Sequence, residues 1–249
     1  MRNPYQLMRL SGSRDTTLRG TLARDGFALI QTLGQGRFGT GYLVARDKAH
    51  YVLKVFNRND VKRRKEKLAR ESKYLRMIDH PAIPKLIKIL DRDGCYGLLM
   101  EKMPGHSLAD LLAWDYAFDK TEITTIMAQL IDIMAYLSGI KISHRDIKTD
   151  NLLWTGQQLA LIDFGSASSV SHFYSRFNPD FWGIGDVFLR LASSCDEMIA
   201  DLNGFSISQL NLNQAERYVI ERLLYIETPY RDFQTLKEEF NHAWLKNER

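Results

Sequence analysis

The chain has 249 residues, enough to bury a hydrophobic core as one large domain or as two closely packed lobes. Hydrophobic residues make up 45% of it, which excludes general disorder. The net charge of +4 favours anionic partners only weakly, so it predicts no binding of nucleic acid.

Neither a membrane anchor nor a disulfide framework is expected. No apolar run approaches the ~18 residues that a membrane-spanning helix needs, and the first residues lack the apolar segment of a secretory signal. Cys95 and Cys195 lie far apart without metal-type spacing, which fits small buried residues in a reducing compartment. We therefore expect a soluble, cytoplasmic protein.

The N-terminal stretch, residues 1–26, has an unusual composition. It carries five arginines among serines and threonines and shows little apolar periodicity. Such a composition predicts a mobile arm. An autophosphorylation tail, an export signal and an organelle address are the alternatives, and the sequence alone does not separate them.

A glycine-rich turn follows between two short apolar runs, Phe27–Leu33 and Tyr42–Ala45. Its glycines are Gly34, Gly36, Gly39 and Gly41. Glycines at this spacing let a hairpin turn sharply and let backbone N–H groups approach phosphate oxygens. A dinucleotide-binding fingerprint would open a helix instead of a second strand, so the pattern favours a phosphate-covering hairpin.

A lysine and a glutamate stand on otherwise apolar faces of the next two elements. Lys54 lies in the middle of a predicted strand over residues 51–56, where a lone cation is costly. In a predicted helix over residues 59–79, Glu71 shares the face of the apolar residues. The two charges therefore predict an ion pair, and Glu66 is the poorer candidate. The basic run Lys62–Lys67 on the outer side is a solvated face or a docking patch for an acidic partner.

Further along the chain, the pattern predicts two more hairpins and one long helix. The hairpins cover residues 83–100 and 152–162, each around a turn that contains glycine. The helix begins with a capping-box-like pair, Asp119 and Glu122, and its apolar positions repeat at helical spacing.

Between that helix and the second hairpin lies the stretch HRDIKTDN, His144–Asn151. Phosphoryl transfer needs a proton acceptor, a cation for the γ-phosphate and a placed magnesium ion, and Asp146, Lys148 and Asn151 offer one group for each. Asp163-Phe164-Gly165 follows the hairpin. The stretch His144–Asn151 resembles the catalytic loop of protein kinases.

The resemblance to eukaryotic-like Ser/Thr protein kinases covers residues 27–246, with the motifs in the same order. It includes DFWGIGDVFLRLA at Asp180–Ala192, similar to the central helix of the large lobe, and a closing motif with Arg231. The resemblance implies an α+β fold of two lobes: a small β-rich N-lobe with hinge over residues 27–103 and a mainly helical C-lobe over residues 104–249.

The resemblance also implies the roles of individual residues. Asp146 would accept the hydroxyl proton, Lys148 would counter the γ-phosphate charge, and Lys54, held by Glu71, would hold the α- and β-phosphates of ATP. The metal ligands for Mg²⁺ would be Asn151 and Asp163. The remaining ATP-binding positions are Gly34, Gly36, Gly39, Val52, Met100, Glu101, Met103 and Leu153.

The chain departs from the family pattern in two places. Gly41 stands where the family has a valine above the adenine, so nucleotide affinity is lower unless Tyr42 or Leu43 compensates. The activation segment between Ser166 and Pro179 is short and lacks the APE motif, as in compact bacterial effector kinases that act inside host cells. We therefore expect activity without phosphorylation of this segment, with Arg145 neutralised by a neighbouring carboxylate or by backbone carbonyls.

Two rival functions remain open at this point. A small-molecule kinase of the aminoglycoside or sugar type shares the H-x-D-x-x-x-x-N loop and also lacks APE, but Lys148 and the DFG motif argue against it. A pseudokinase would be a binding module of the same fold. A pseudokinase usually lacks one of the residues that correspond to Lys54, Asp146 and Asp163, and this chain has all three.

Overall fold

Five antiparallel strands form the sheet of the N-terminal part of the chain. They are β1 (Ala28–Gln35), β2 (Gly39–Arg46), β3 (Ala49–Phe56), β4 (Leu86–Arg92) and β5 (Cys95–Glu101). The computed structural model describes residues 13–35, 39–56, 61–169, 177–195, 198 and 207–245. In the sheet the strands follow the order β1-β2-β3-β5-β4, so β3 and β5 lie inside it and β1 and β4 are its edges.

The two faces of this sheet carry different chemistry. Successive residues of a strand point to opposite faces. Leu53 of β3 is fully buried in the hydrophobic core of the N-terminal unit, so its neighbours Val52 and Lys54 point to the other face. One face of the sheet therefore carries the apolar core, and the other presents the lysine.

A helix that the sequence did not predict covers the apolar face. This helix, α1 (Ser13–Ala23), buries Leu18 and Leu22 in the same core as Leu53. Burial of each leucine stabilises the unit by about 1.5–3 kcal/mol. The expectation of a mobile arm over residues 1–26 is thus wrong for residues 13–26, and residues 1–12 lie outside the described part.

Polar contacts tie α1 to the turn between β4 and β5. The Thr21 hydroxyl donates to Oδ2 of Asp93 at 2.9 Å, and Arg24 Nη1 reaches the same oxygen at 2.8 Å. Just after the helix, Asp25 accepts from Arg92 Nη2 at 2.5 Å. The helix is therefore fixed at its C-terminal end by both apolar and charged contacts.

The second helix, α2 (Val61–Met77), packs on β4 and β5. Its extent agrees with the predicted helix to within two residues at either end. Leu68, Leu75 and Glu71 are all buried, as their shared helical face predicted. Glu66 is exposed, which fits its rejection as the partner of the lysine.

The C-terminal unit is built mainly of helices. They are α3 (Leu108–Ala113), α4 (Lys120–Gly139), α5 (Pro179–Ala192), α6 (Gln214–Leu223) and α7 (Phe233–Phe240). Its short strands are β6 (His106–Ser107), β7 (Ile142–Ser143), β8 (Leu152–Trp154), β9 (Leu159–Leu161) and β10 (Ser168–Ser169). They pair as β6-β8-β9 and β10-β7. The predicted hairpin over residues 152–162 corresponds to β8 and β9.

Helix α4 supplies the core of this unit and packs against α5 and α7. The Asp119 side chain caps it by accepting the N–H of Glu122 at 2.7 Å, as predicted. The Glu122 carboxylate, however, accepts from the Trp154 indole N–H and from the Tyr116 hydroxyl. The glutamate therefore connects the start of α4 to the β8 strand.

The chain divides into two compact units, Met1–Lys102 and Met103–Arg249. One is dominated by a β-sheet and the other by helices, so the predicted α+β fold is confirmed. No helix within the described residues is long and apolar enough to cross a membrane.

Candidate active site

The predicted ion pair between Lys54 and Glu71 is present in the N-terminal unit. Lys54 Nζ lies 2.9 Å from both carboxylate oxygens of Glu71, whose side chain is 0% exposed. Because a buried carboxylate without a cation is strongly unfavourable, each residue fixes the other. The pair holds the lysine ammonium on the face of the sheet opposite α1.

The glycines of the β1–β2 turn differ in what the fold demands of them. A Cβ at Gly39 would lie 2.3 Å from the Val55 carbonyl oxygen, so strand packing alone requires glycine there. At Gly34 a Cβ would meet nothing within 4 Å, so packing among the described residues does not require glycine there. Gly36 lies outside the described residues.

Gly41 leaves an opening on the lysine face. It pairs directly with Lys54 in the β2–β3 ladder, and paired residues of adjacent strands point to the same face. A Cβ there would find its nearest neighbours at 3.8 Å. Leu43 pairs with Val52 and shares this face, whereas Tyr42 packs against the α1 core. Of the two residues that could compensate, only Leu43 is therefore on the correct side.

The residues expected at the adenine are divided between the two units. Met100 is buried and pairs with Val52 in the β3–β5 ladder. The Glu101 N–H already donates to the Lys85 carbonyl at 2.9 Å, which leaves its carbonyl as the group for an adenine contact. Met103 is half-buried and belongs to the other unit, as does Leu153.

The catalytic-loop side chains of the C-terminal unit converge on Asp146. Lys148 Nζ lies 3.3 Å from Asp146 Oδ2. Asn151 Nδ2 donates to the Asp146 backbone carbonyl at 2.8 Å and to Oδ2 at 3.1 Å. The aspartate is thus held between a cation and an amide, and it remains partly exposed.

Asp180 at the start of α5 anchors this loop, a role that the sequence did not reveal. It is 1% exposed and accepts the backbone N–H groups of His144 at 3.1 Å and Arg145 at 2.5 Å. Arg145 adopts a φ of 66°, a left-handed conformation that costs a non-glycine residue about 1–3 kcal/mol unless neighbours hold it. The buried carboxylate supplies that restraint through two backbone hydrogen bonds.

Helix α5 also approaches the loop backbone closely. A Cβ at Gly183 would lie 2.7 Å from the Ile147 carbonyl oxygen. Only glycine permits this distance, so the first turns of α5 pack directly on the backbone of the catalytic loop.

His144 is buried beneath the loop against Phe164, with ring centroids 4.8 Å apart. Its Nδ1 accepts the Asp146 N–H at 3.3 Å and its Nε2 faces the Ile162 carbonyl at 3.2 Å, which assigns the proton to Nε2. Burial lowers the pKa of His144 below its ordinary value of 6.5. The histidine is therefore a neutral structural support of Asp146.

The predicted metal ligands offer a donor set that suits magnesium. Asn151 uses its amide nitrogen on Asp146, which leaves its oxygen for a cation. Asp163 accepts the Gly165 N–H through Oδ1 at 3.1 Å, and a φ of 65° turns its backbone sharply. The described residues contain no cluster of three His, Cys, Asp or Glu side chains that could enclose a metal. Mg²⁺ commonly takes one or two protein oxygens and completes its shell with water and phosphate, so these two residues fit it.

Two arginines of the motifs are exposed. The Arg145 side chain is exposed and forms no ion pair with any residue that the structure describes, so its predicted neutralisation is not observed. Arg231 is likewise exposed. A partly buried ion pair of the closing region involves Arg222, whose Nη1 lies 2.6 Å from Glu239 and whose guanidinium stacks on Tyr230 at 3.9 Å.

The basic run of α2 is described only in part. Lys65 is exposed, 6.0 Å from the centroid of the Tyr96 ring, while the side chains of Lys62, Arg63, Arg64 and Lys67 lie outside the described residues. An acidic partner at this run stays a proposal.

Comparison with known proteins agrees with the geometry. The family model of the protein kinase domain matches residues 27–200. The probable serine/threonine-protein kinase YbdM of Bacillus subtilis is 31% identical over 90% of this chain and 91% of its own length. The serine/threonine-protein kinase cds1 of Schizosaccharomyces pombe is 29% identical over 63% of this chain and 36% of its own length. Aurora kinase B of Mus musculus is 33% identical over 57% of this chain and 42% of its own length.

Proposed function

Because the chain belongs to the protein kinase family, we propose that it transfers the γ-phosphate of ATP to serine or threonine hydroxyls of a protein. The class, a serine/threonine protein kinase, follows from the family match and the similar kinases. ATP as the donor and magnesium as the metal are the finer part of the proposal. The observation that carries it is the convergence of Lys148 and Asn151 on Asp146.

The residues of the catalytic loop divide the work of the transfer. The partly exposed Asp146 carboxylate orients the acceptor hydroxyl and takes its proton. Lys148, 45% exposed, balances the charge of the transferred phosphoryl group. The Asn151 side-chain amide donates to the backbone carbonyl of Asp146 and so restrains it. This hydrogen bond also keeps the side-chain oxygen of Asn151 oriented for a cation. Lysine at position 148 favours a Ser/Thr acceptor over tyrosine.

The N-terminal unit contributes the groups for the nucleotide. Lys54 is oriented by Glu71 to hold the α- and β-phosphates, and Gly34 allows the backbone to approach them. Val52 and Met100, paired across β3 and β5, give an apolar surface for the adenine. Asn151 and Asp163 would hold magnesium, which would supply positive charge against the triphosphate.

We also infer that activity does not depend on phosphorylation of the activation segment. Arg145 lies on a strained turn, and its guanidinium points away from the core. Asp180 already fixes this turn through backbone hydrogen bonds, so no phosphate is needed to order the loop. Replacement of Ser166, Ser168, Ser169, Ser171 and Ser175 by alanine should leave the initial rate within about threefold. A tenfold loss, with phosphate found on one of them in the active protein, would reject this inference.

Incubation with labelled ATP, magnesium and a panel of proteins and sugars tests the main proposal. Asp146→Asn should lower turnover about 10²–10⁴-fold while nucleotide binding survives, because only proton handling is lost. Wild-type turnover in this variant, or phosphate transfer to a sugar and to no protein, would contradict the proposal. A chain that binds ATP without any transfer would be a pseudokinase. Cytoplasmic location and export into a host cell stay proposals, which fractionation of the source cells separates.

A further inference from the structure

Tyr225 stands just after the end of α6, in a backbone conformation that disfavours it. Its φ is 64°, in the left-handed region where glycine commonly ends a helix. A β-carbon makes this conformation unfavourable, so a residue other than glycine keeps it only where its surroundings hold it. The side chain of Tyr225 therefore makes contacts that offset the strain.

These contacts are with Phe177 and Asn178, at the end of the activation segment. The Tyr225 hydroxyl accepts the Asn178 N–H at 2.5 Å and donates to the Asn178 carbonyl at 3.3 Å. The rings of Tyr225 and Phe177 lie 5.0 Å apart, centroid to centroid. Burial raises the pKa of Tyr225 above its ordinary value of 10, so the hydroxyl keeps the proton that it donates. The tyrosine thus holds the chain just before α5 begins.

Asn178 passes this restraint on to the buried Asp180. The Asn178 side-chain oxygen accepts the Asp180 N–H at 2.9 Å and so caps the first turn of α5. The Asp180 carboxylate in turn accepts two backbone N–H groups of the catalytic loop. A continuous series of contacts therefore runs from Tyr225 to the loop that carries Asp146.

Packing places α5 between the same two partners. A Cβ at Gly183 would lie 2.7 Å from the Ile147 carbonyl oxygen in the catalytic loop. A Cβ at Gly185 would lie 2.8 Å from Cδ2 of Leu224, the neighbour of Tyr225. Residues two positions apart on a helix point in nearly opposite directions. Helix α5 therefore lies between the catalytic loop and the end of α6.

We propose that Tyr225 is a positioning residue for phosphotransfer, which fixes Asn178 and thereby keeps Asp180 where it holds the catalytic loop around Asp146. The inference rests on the proposed function, because it concerns the rate of that reaction. All these contacts lie within the C-terminal unit, whereas Lys54 lies in the other unit. Loss of the hydroxyl should therefore lower kcat and leave KM for ATP unchanged.

Steady-state kinetics of Tyr225→Phe test the proposal, because this variant keeps the ring beside Phe177 and loses only the two hydrogen bonds. We expect kcat to fall about 5- to 30-fold, since small displacements of reacting groups lower the rate steeply, with KM for ATP within about twofold of the wild type. An unchanged kcat would overturn the proposal.

Tyr218→Phe is the matched control for the loss of a hydroxyl. Tyr218 lies in α6 of the same unit and is 46% exposed, and its hydroxyl forms no hydrogen bond with any residue that the structure describes. This variant should leave kcat unchanged. An equal loss in both variants would contradict a role specific to Tyr225.

Asn178 provides a test by rescue. Asn178→Ala removes the cap from Asp180 and should lower kcat to a similar extent, whereas Asn178→Ser restores a cap and should come within about threefold of the wild type. Tyr225→Phe combined with Asn178→Ala should lose no more than about threefold beyond Asn178→Ala alone, because both changes break one series of contacts. Losses that multiply would show that the two residues act separately and would overturn the proposal.

Hydrogen exchange followed by NMR gives a measurement that needs no catalysis. The His144 and Arg145 amides, which Asp180 holds, should exchange at least about tenfold faster in Tyr225→Phe, while the amides of α4 stay unchanged. If the wild-type chain transferred no phosphate, faster exchange at these two amides would still support the hold of Tyr225 on the loop. Unchanged exchange there, or an equal rise across α4, would overturn it.

Discussion

The Lys54–Glu71 ion pair joins a partly exposed strand lysine to a fully buried helix carboxylate. Glu71 is fully buried and has Lys54 on both of its oxygens, so Lys54→Met removes this cation from a buried carboxylate. We expect this variant to lose phosphotransfer and about 3–5 kcal/mol of unfolding free energy. Chemical denaturation together with hydrogen exchange of β3 measures the loss.

A double variant tells the two roles of this pair apart. Lys54→Met with Glu71→Leu removes both charges and should recover most of the stability, because an apolar pair can replace a buried ion pair. Activity should not return, since the phosphates would still lack their cation. Recovery of activity in the double variant would show that Lys54 serves the structure alone.

Gly41 offers a gain-of-function test on the same face. Gly41→Val adds a side chain beside Lys54, where its Cβ would have its nearest neighbours at 3.8 Å. If this position covers the adenine, the added apolar contact is worth on the order of 1 kcal/mol, and KM for ATP should fall about three- to tenfold. Thr40→Val is the control, because Thr40 pairs with Val55 and so points to the opposite face. An equal change in both variants would locate the effect away from the nucleotide.

Among the elements, α1 is the one that departs most from the sequence-based expectation. Leu18 and Leu22 are almost completely buried against the sheet. Leu22→Ala should therefore cost about 2–5 kcal/mol, by the lost burial and the cavity it leaves. Differential scanning calorimetry should show the loss, and Leu33→Ala, at an exposed site in β1, should cost far less. Equal losses would mean that α1 adds no stability of its own.

The elements that could be predicted are those whose own residues show the spacing of a helix or a strand. Helix α2 places Leu68, Glu71 and Leu75 on one face, so both its extent and the partner of Lys54 followed from spacing. Helix α1 has only two leucines one turn apart, and tertiary contact rather than periodicity fixes it.

At the candidate site, the motif residues were predictable but the supports beneath them were not. Asp180 accepts the backbone N–H groups of two loop residues that lie 35 and 36 positions earlier in the chain. Backbone donors do not depend on residue type, so the sequence does not indicate this contact. The same limit applies to Gly39, whose need for glycine comes from the Val55 carbonyl of the neighbouring strand. Long-range backbone contacts are visible only in the folded chain.

At the scale of the whole molecule, the two units should lose stability in different pH ranges. In the N-terminal unit, the hydrogen bond from Lys88 lowers the pKa of Asp25 below its ordinary value of 3.8. Its stabilisation is present above that value and is lost only as the pH falls further. In the C-terminal unit, burial lowers the pKa of His144 below 6.5. On acidification this histidine is therefore protonated at a higher pH in the unfolded chain than in the folded one. The free energy of unfolding falls as the pH drops below 6.5.

This difference predicts that the C-terminal unit weakens first on acidification. All four tryptophans lie after Met103, at positions 114, 154, 182 and 244, so denaturation followed by their fluorescence reports on that unit. Between about pH 6.5 and 5 the unfolding free energy should fall by at most about 1.4 kcal/mol per pH unit, the limit for one proton. His144→Phe should flatten this slope, whereas His242→Gln, at an exposed position, should not. An unchanged slope in His144→Phe would mean that another group controls the acid stability of the unit.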